Sequence, residues 1–339
     1  MFRILHDTKF DFIKWWRVAA ILTVAFIVLG LGSFALRGGV NLSIEFTGGT
    51  LVQVRFAQPP DPADLRALIS HAEITQFGDP TEYTLRLQGA EAIAEQATTA
   101  EGVAKEVETL LKTKYGDGFT IVRTEAVGPK VGEELARGAI IAMLLASLIT
   151  LAYLAFRFEW RFGLAAVLST AHDVLVTMAF IKLAHIEVSL TVVAAILTLL
   201  GYSGNDTIII FDRVRENLKK ARKEPLYDTL NRSINETLPR SVLTHVTTLA
   251  ATLALLIFAG EVLRPFAWVM AFGIFVATFS SIYVASPVLL YIERKFPRKE
   301  SAGKGLYVSA GQARAESKAE VESPPKPIRG SKAPAAGRR

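Results

Sequence analysis

The sequence predicts an α-helical polytopic membrane protein, in which a six-helix transmembrane bundle carries one α+β, ferredoxin-like domain on the periplasmic side, between the first and second spans. Three observations predict it. Of 339 residues, 51% are hydrophobic and only 21% charged, with a mean hydropathy of +0.33. The apolar residues gather in long runs, each near the roughly 20 residues a helix needs to cross a bilayer. One intervening segment instead alternates polar and apolar residues with period two, the pattern of half-buried strands. Lipid offers a backbone no hydrogen-bond partner, so these runs can span only as helices. A wholly water-soluble enzyme is excluded. With no cysteine in the chain, no disulfide supports the part outside the membrane.

Residues 1–17 form a basic cytoplasmic N-terminus containing Arg3, Lys9, Lys14 and Arg17. The first span, 18–36, is longer than the roughly 7–15 residues of a signal-peptide core, and Ser33-Phe34-Ala35-Leu36-Arg37 is a poor cleavage site, so an uncleaved anchor is expected. The periplasmic domain occupies 37–135. Its stretch 38–134 holds 15 Asp or Glu against 8 Lys or Arg, although the whole chain is net +6. Leu51–Phe56 alternates as a strand, and Asp61-Pro62 supplies an N-cap and a first-turn proline for a helix to about His71. A short strand near Ile74–Phe77, a second clear strand at Glu82–Gln88, a helix over 91–115 and a last strand at Phe119–Val127 complete the order β-α-β-β-α-β of a ferredoxin-like sandwich. Its one histidine is His71, and no nucleophile, base and orienting group share a suggestive spacing. A binding or lever domain is expected, with no catalytic residue, cofactor or metal site.

The remaining spans are 136–156, 162–182, 188–211, 241–260 and 266–292. Lys and Arg favour the cytoplasmic side of a span, which places the turn containing Arg157 and Arg161 there, and also 212–240, a basic cytoplasmic loop with Arg213, Lys220, Arg232 and Arg240 among its cations. The tail 293–339 falls on the same side, so both termini are cytoplasmic. It is rich in Ala, Gly, Pro, Ser and Lys, has no apolar face to bury, and is expected to be disordered. It reads as a solvated tail, the alternative being that its basic residues rest on anionic membrane lipid, on a ribosome or on a partner. Positive-inside sorting accounts for the basic excess, and nucleic-acid binding is not supported.

Ionisable residues inside spans cost roughly 2.5–3.5 kcal/mol each on insertion scales and mark function. Asp173 lies mid-span with Ser169 and Thr177 four residues to either side. In the next span Thr198, Tyr202 and Asp206 recur at four-residue steps, with Asn205 beside the acid. At the start of the fifth span Arg240 is followed by Thr244, Thr248 and Thr252 at the same spacing. These faces are expected to turn toward one another or onto a partner bundle. Asp206 and Arg240 fit a proton relay in which the carboxylate pairs with the guanidinium and reshapes the bundle when the pair breaks; a static buried pair is the alternative. Asp173 fits a relay member or an acid that simply hydrogen-bonds His172 or backbone. His172 and His245 read as packing residues, and Asp212 with Arg213 as an interfacial charge pair.

Three motifs together resemble the SecF branch of the SecD/SecF family of bacterial protein-export membrane proteins. They are Ile44-Glu45-Phe46-Thr47-Gly48-Gly49-Thr50 after the first span, Val127-Gly128-Pro129-Lys130-Val131-Gly132-Glu133-Glu134-Leu135 before the second, and Gly201-Tyr202-Ser203-Gly204-Asn205-Asp206-Thr207 leading to Phe211-Asp212-Arg213-Val214-Arg215-Glu216-Asn217. The resemblance covers about residues 1–296. It implies a bundle like half of a resistance-nodulation-division (RND) transporter in the bacterial inner membrane. It also implies partnership with SecD and YajC, docking on the SecYEG translocon, and use of the proton-motive force to move unfolded preprotein on the periplasmic side. Asp206 and Arg240 match the family's proton-linked acid and arginine. Glu45 stands where the family usually has Asp. Gly204 replaces an apolar residue, which would either loosen the helix by up to about 1 kcal/mol relative to alanine or permit a close helix contact. An RND-type exporter of lipid or small molecules and a passive channel scaffold are the competing readings.

Overall fold

The computed structural model of the chain describes residues 8–87, 100–157, 159–220 and 224–296. The expected disordered tail 293–339 is corrected at its root, where 293–295 continue a helix with Glu293 buried; its part from 297 onward, the first seven residues and the 91–99 part of the expected helix lie outside the described residues. In chain order the elements are α1 (Trp16–Arg37), α2 (Ile44–Thr47), β1 (Gly49–Phe56), α3 (Pro62–Leu68), β2 (Ala72–Gln76), β3 (Glu82–Leu87), α4 (Ala100–Tyr115), β4 (Phe119–Val127) and α5 (Pro129–Arg157). There follow α6 (Trp160–Leu183), α7 (Leu190–Lys220), α8 (Leu226–Phe258), α9 (Arg264–Ser280), a π-turn (Ser281–Ala285) and α10 (Ser286–Lys295). By length and composition, five helical segments among the described residues can cross a membrane: Ile13–Phe34, Trp160–Leu183, Leu190–Lys220, Leu226–Phe258 and Arg264–Lys295. The 29-residue α5 runs beside them.

The small domain forms where the alternation places it. Strands pair antiparallel in the order β2-β3-β1-β4. Val52, Val54 and Phe56 point to one face and are sealed by Leu65 of α3 and by Val107 and Leu111 of α4. Asp61 caps α3, its carboxylate accepting from the Ala63 amide at 2.8 Å, a bond worth about 1 kcal/mol. The opposite face is polar. There Glu82 accepts from Gln53 at 2.9 Å and pairs with Arg55.

From that polar face Arg86 reaches the bundle. It is 8% exposed, pairs with Glu187 in the turn between α6 and α7, and donates to the Leu42 carbonyl at 3.0 Å. Burial pushes the Glu187 carboxyl above its ordinary range against the pull of Arg86, with Glu73 and Glu45 adding repulsion. Beside it Ser43 N–H donates to the Val188 carbonyl at 2.9 Å. The domain is therefore tied to the near end of the helices through side chain and backbone together.

Within the bundle α7 is central, packing against α5, α6, α8 and α9, while α1 lies outside against α6. The expected loop 212–240 is corrected: α7 continues to Lys220 and α8 starts at Leu226, so the segment is almost wholly helical. Hydropathy marks only the lipid-facing length. Beyond it Leu226, Leu230, Ile234 and Leu238, at four-residue spacing, bury against Phe211 and Val214, which holds both helices together past the apolar stretch.

Candidate functional site

Asp206 lies on α7 facing α8 and is 5% exposed. One carboxylate oxygen accepts from the Ser241 hydroxyl at 2.5 Å; the other is buried with no hydrogen-bond partner among the described residues. A carboxylate buried among helices with one protein donor is costly and calls for a role. Tyr202, one turn earlier, packs edge-on against the His245 ring of α8 at 5.3 Å.

The expected Asp206–Arg240 pair is absent among the described residues. Arg240 is exposed and lines a cleft of about 450 Å³ with Tyr153, Ile209, Asp212, Glu216 and Glu236, away from the small domain. Successive helical residues are turned by roughly 100°, so Ser241 and Arg240 cannot both face Asp206, and Ser241 does. The inward stripe of α8 is accordingly Ser241, His245 and Thr252; of the expected Arg240-Thr244-Thr248-Thr252 it keeps Thr252, while Ser241 and His245 stand one residue beyond Arg240 and Thr244. Thr244 and Thr248 donate their hydroxyls to the carbonyls four residues back, at 2.9 and 2.8 Å, bonding that threonine makes in any helix. Thr248 also lies beside the Tyr202 hydroxyl, so of the expected track these two meet across α7 and α8.

On the other side of α7, Thr198, Gly201 and Asn205 form an outward, exposed stripe. Gly204 is buried, and a methyl added there would meet only Thr150 Cγ2 at 4.0 Å. The helix runs unbroken through it, and the position marks no tight contact.

Asp173 is 1% exposed and belongs to a separate cluster. Its Oδ2 accepts from Ser203 of α7 at 2.5 Å and from Ser280 at the end of α9 at 2.7 Å, and its Oδ1 lies 3.0 Å from His172 Nδ1. Ser169 extends the cluster, its hydroxyl 3.5 Å from the Ser280 carbonyl. Ser280 escaped notice in the sequence. The available signal was three serines, Ser280, Ser281 and Ser286, in an otherwise apolar span.

The first two motifs meet at one joint. Gly48 has φ +73° and ψ 171°, a conformation reserved for glycine. Its position would set a Cβ 2.9 Å from the Cα of Pro129, the first residue of α5, and Gly132 backs onto the Phe46 carbonyl. Gly49 opens β1 opposite Val127, and Phe46 packs on the core shared by α6, α7 and α9. At Gly128 an added Cβ meets nothing within 4 Å. Glu45, in the one-turn α2, accepts from the Leu190 amide at 2.6 Å and so neutralises the start of α7. The joint is thus bonded to the helix that carries Asp206.

At the far end of the bundle, away from the small domain, Arg213 bridges Glu216 and Glu236, each at 2.6 Å, instead of pairing with Asp212 as expected. Asn217 also donates to Glu236 at 2.7 Å. Burial pushes the Glu236 carboxyl up, but the hydrogen bonds from Asn217 and Arg213, with the charges of Arg213 and Arg232, hold it below its ordinary value. A lowered carboxyl stabilises the fold above its unfolded pKa and loses that contribution as pH falls through the folded one. Thermal unfolding in detergent is therefore expected to show an acid-dependent loss below about pH 4.5 that Glu236→Gln removes, at a cost near neutrality of roughly 1–3 kcal/mol. The N-terminal segment docks beside this network. Asp11 accepts from Tyr227 at 2.6 Å, and burial together with that carboxylate pushes the phenol up to about 12. Among the described residues no three His, Asp or Glu side chains gather as metal ligands.

Comparison with known proteins places these motifs. The family model "Protein export membrane protein SecD/SecF, C-terminal" matches residues 106–295, and the "SecD/SecF GG Motif" matches 36–60. The protein translocase subunit SecF of Gemmatimonas aurantiaca is 63% identical over 320 residues, covering 92% of this chain and 96% of that protein. SecF of Calditerrivibrio nitroreducens is 39% identical, covering 86% and 96%. The crystal structure of SecDF from Thermus thermophilus, described as a translocon-associated membrane protein, superposes with a TM-score of 0.76 at 38% identity. It covers 87% of this chain, which spans 40% of the length of the SecDF chain. With apolar helices able to cross a bilayer and all three motifs in place, this is a multi-pass membrane protein that belongs to the SecD/SecF family of protein-export membrane proteins, on its SecF branch.

Proposed function

We propose that the chain is a SecF-type subunit of the Sec export machinery. With SecD, and with YajC as a further associate, it uses the proton-motive force to drive later steps of preprotein translocation through SecYEG. In this reading it sits in the bacterial inner membrane with six spans and both termini in the cytoplasm. The small domain lies in the periplasm as a ferredoxin-like sandwich that handles unfolded preprotein; the strand order β2-β3-β1-β4 with two helices on one face supports that assignment. No cofactor enters, the energy source being the proton gradient.

The observation that carries the proposal is Asp206, a buried carboxylate with one oxygen free of partners. A charge crossing 100 mV releases about 2.3 kcal/mol, which biases a rearrangement only if its two states bind the proton differently. Here an ionised Asp206 would leave Ser241 and draw Arg240 toward it in the alternate state as α7 shifts against α8, and proton uptake would remove that attraction and return the acid to Ser241. Glu45 and the Gly48–Pro129 joint would pass that shift to the small domain.

Asn205, exposed on the outward face of α7, supports a second bundle as neighbour, since lipid cannot solvate its amide. A cysteine-free chain makes this testable. Asn205→Cys is expected to crosslink to co-expressed SecD and to resist lipid-soluble maleimide. Free labelling without a crosslink would assign that face to lipid and remove the partner from the account. The RND-exporter reading fits less well, because a single four-stranded domain leaves little room for a substrate pocket.

A further inference from the structure

We infer that His172 and Asp173 form a second proton site, loaded through a cavity between α1 and α10 and acting on the π-turn that follows α9. Three observations meet there. Asp173 is buried and draws hydroxyl donors from two other helices, Ser203 of α7 and Ser280 of α9. Ser280 is the last residue before the π-turn Ser281–Ala285, a local strain common at functional positions. His172 stands between this acid and open space: its Nδ1 faces Asp173, while its Nε2 is buried without a hydrogen-bond partner. The imidazole lines a cavity of about 380 Å³ that extends along α1 from Trp16 to Val24 and along α10 to Arg294.

Each of these features alone has a bland explanation, but their order is that of a relay. The Nδ1–H donates to the Asp173 carboxylate, which fixes the tautomer and leaves Nε2 as an acceptor directed away from the acid. A proton arriving at Nε2 lets Nδ1 pass its own to Asp173 Oδ1; the ring stays neutral and the reverse transfer resets it. The neutral acid then accepts less strongly from Ser203 and Ser280, so the tie between α7 and the end of α9 weakens. The charged and polar groups that face the pair are few among the described residues. Around the cavity they are Tyr283 of the π-turn and Tyr291 and Arg294 of α10, with no ionisable residue from α1 lining it. On the bundle side the acid meets the hydroxyls of Ser203 and Ser280. The site shares the membrane-bundle reading proposed above but does not depend on Asp206.

The test is infrared difference spectroscopy of the full chain with SecD in lipid vesicles, titrated across the pH range in which the complex stays assembled. A protonated-carboxyl band is expected that disappears in Asp173→Asn and persists in Asp206→Asn. His172→Gln should move its midpoint, and Val24→Phe, which narrows the cavity at a largely exposed position, should slow its deuterium exchange at least about tenfold. Should Asp173→Asn fail to assemble, Ser280→Ala serves instead, by shifting the band's frequency. A spectrum with no such band, or one unchanged in His172→Gln and Val24→Phe, overturns the proposal. Loss of the band only in Asp206→Asn would assign proton uptake to Asp206 and equally overturn it.

Discussion

Asp206→Asn is expected to abolish gradient-dependent export while leaving membrane levels and SecD association unchanged. The substitution keeps shape and the capacity to hydrogen-bond Ser241, so folding is little disturbed, but it removes the group that changes charge. One charge moved through 100 mV is worth about 2.3 kcal/mol, roughly a fiftyfold bias between two states, and that bias is what the variant forfeits. Arg240→Met is expected to behave alike, because the alternate state needs a cation to approach the acid. The check is preprotein export in cells depleted of the native protein and supplied with each variant, once assembly is verified. Normal export in both would leave a scaffold whose charged residues are structural.

Gly48→Ala carries the second large effect, and Gly128→Ala is its control. At φ +73° and ψ 171° a side chain costs roughly 1–3 kcal/mol in backbone strain alone. The added methyl also meets the Pro129 Cα at 2.9 Å, and because that atom is main chain at the start of α5, relief requires moving the helix. Gly128 has no such neighbour. Thermal unfolding and hydrogen exchange over 44–50 and 129–135 are therefore expected to show a loosened joint in Gly48→Ala and an almost unchanged one in Gly128→Ala. Export should fall in the first although Asp206 is intact. Equal behaviour of the two variants would remove the joint from the coupling route.

Much of the fold was legible where one physical period dominates. Period-two alternation and the Asp61-Pro62 cap mark the strands and α3 because their core is local, and the apolar runs mark the helices. The helical extension across 212–240 is masked by its charge, and its signal is the four-residue spacing of Leu226, Leu230, Ile234 and Leu238, which bury against α7. Within the site, Asp206 and Asp173 stand out by the cost of a carboxylate in lipid. Their partners do not. Ser241 in place of Arg240 is a matter of roughly 100° around α8, and Ser203 and Ser280 reach Asp173 only through the packing of three helices. The sequence separates the joint motifs by about 80 residues, and only the folded chain brings Gly48 against Pro129 and Glu45 onto the amide of Leu190.

The most direct measurement is the rate at which membrane vesicles complete preprotein translocation with and without an imposed proton gradient, comparing the native chain with Asp206→Asn at equal SecD content. The account predicts that the gradient accelerates translocation with the native chain and has no effect with the variant, whose rate matches vesicles lacking the subunit. Equal acceleration in both would contradict a proton-coupled role for Asp206.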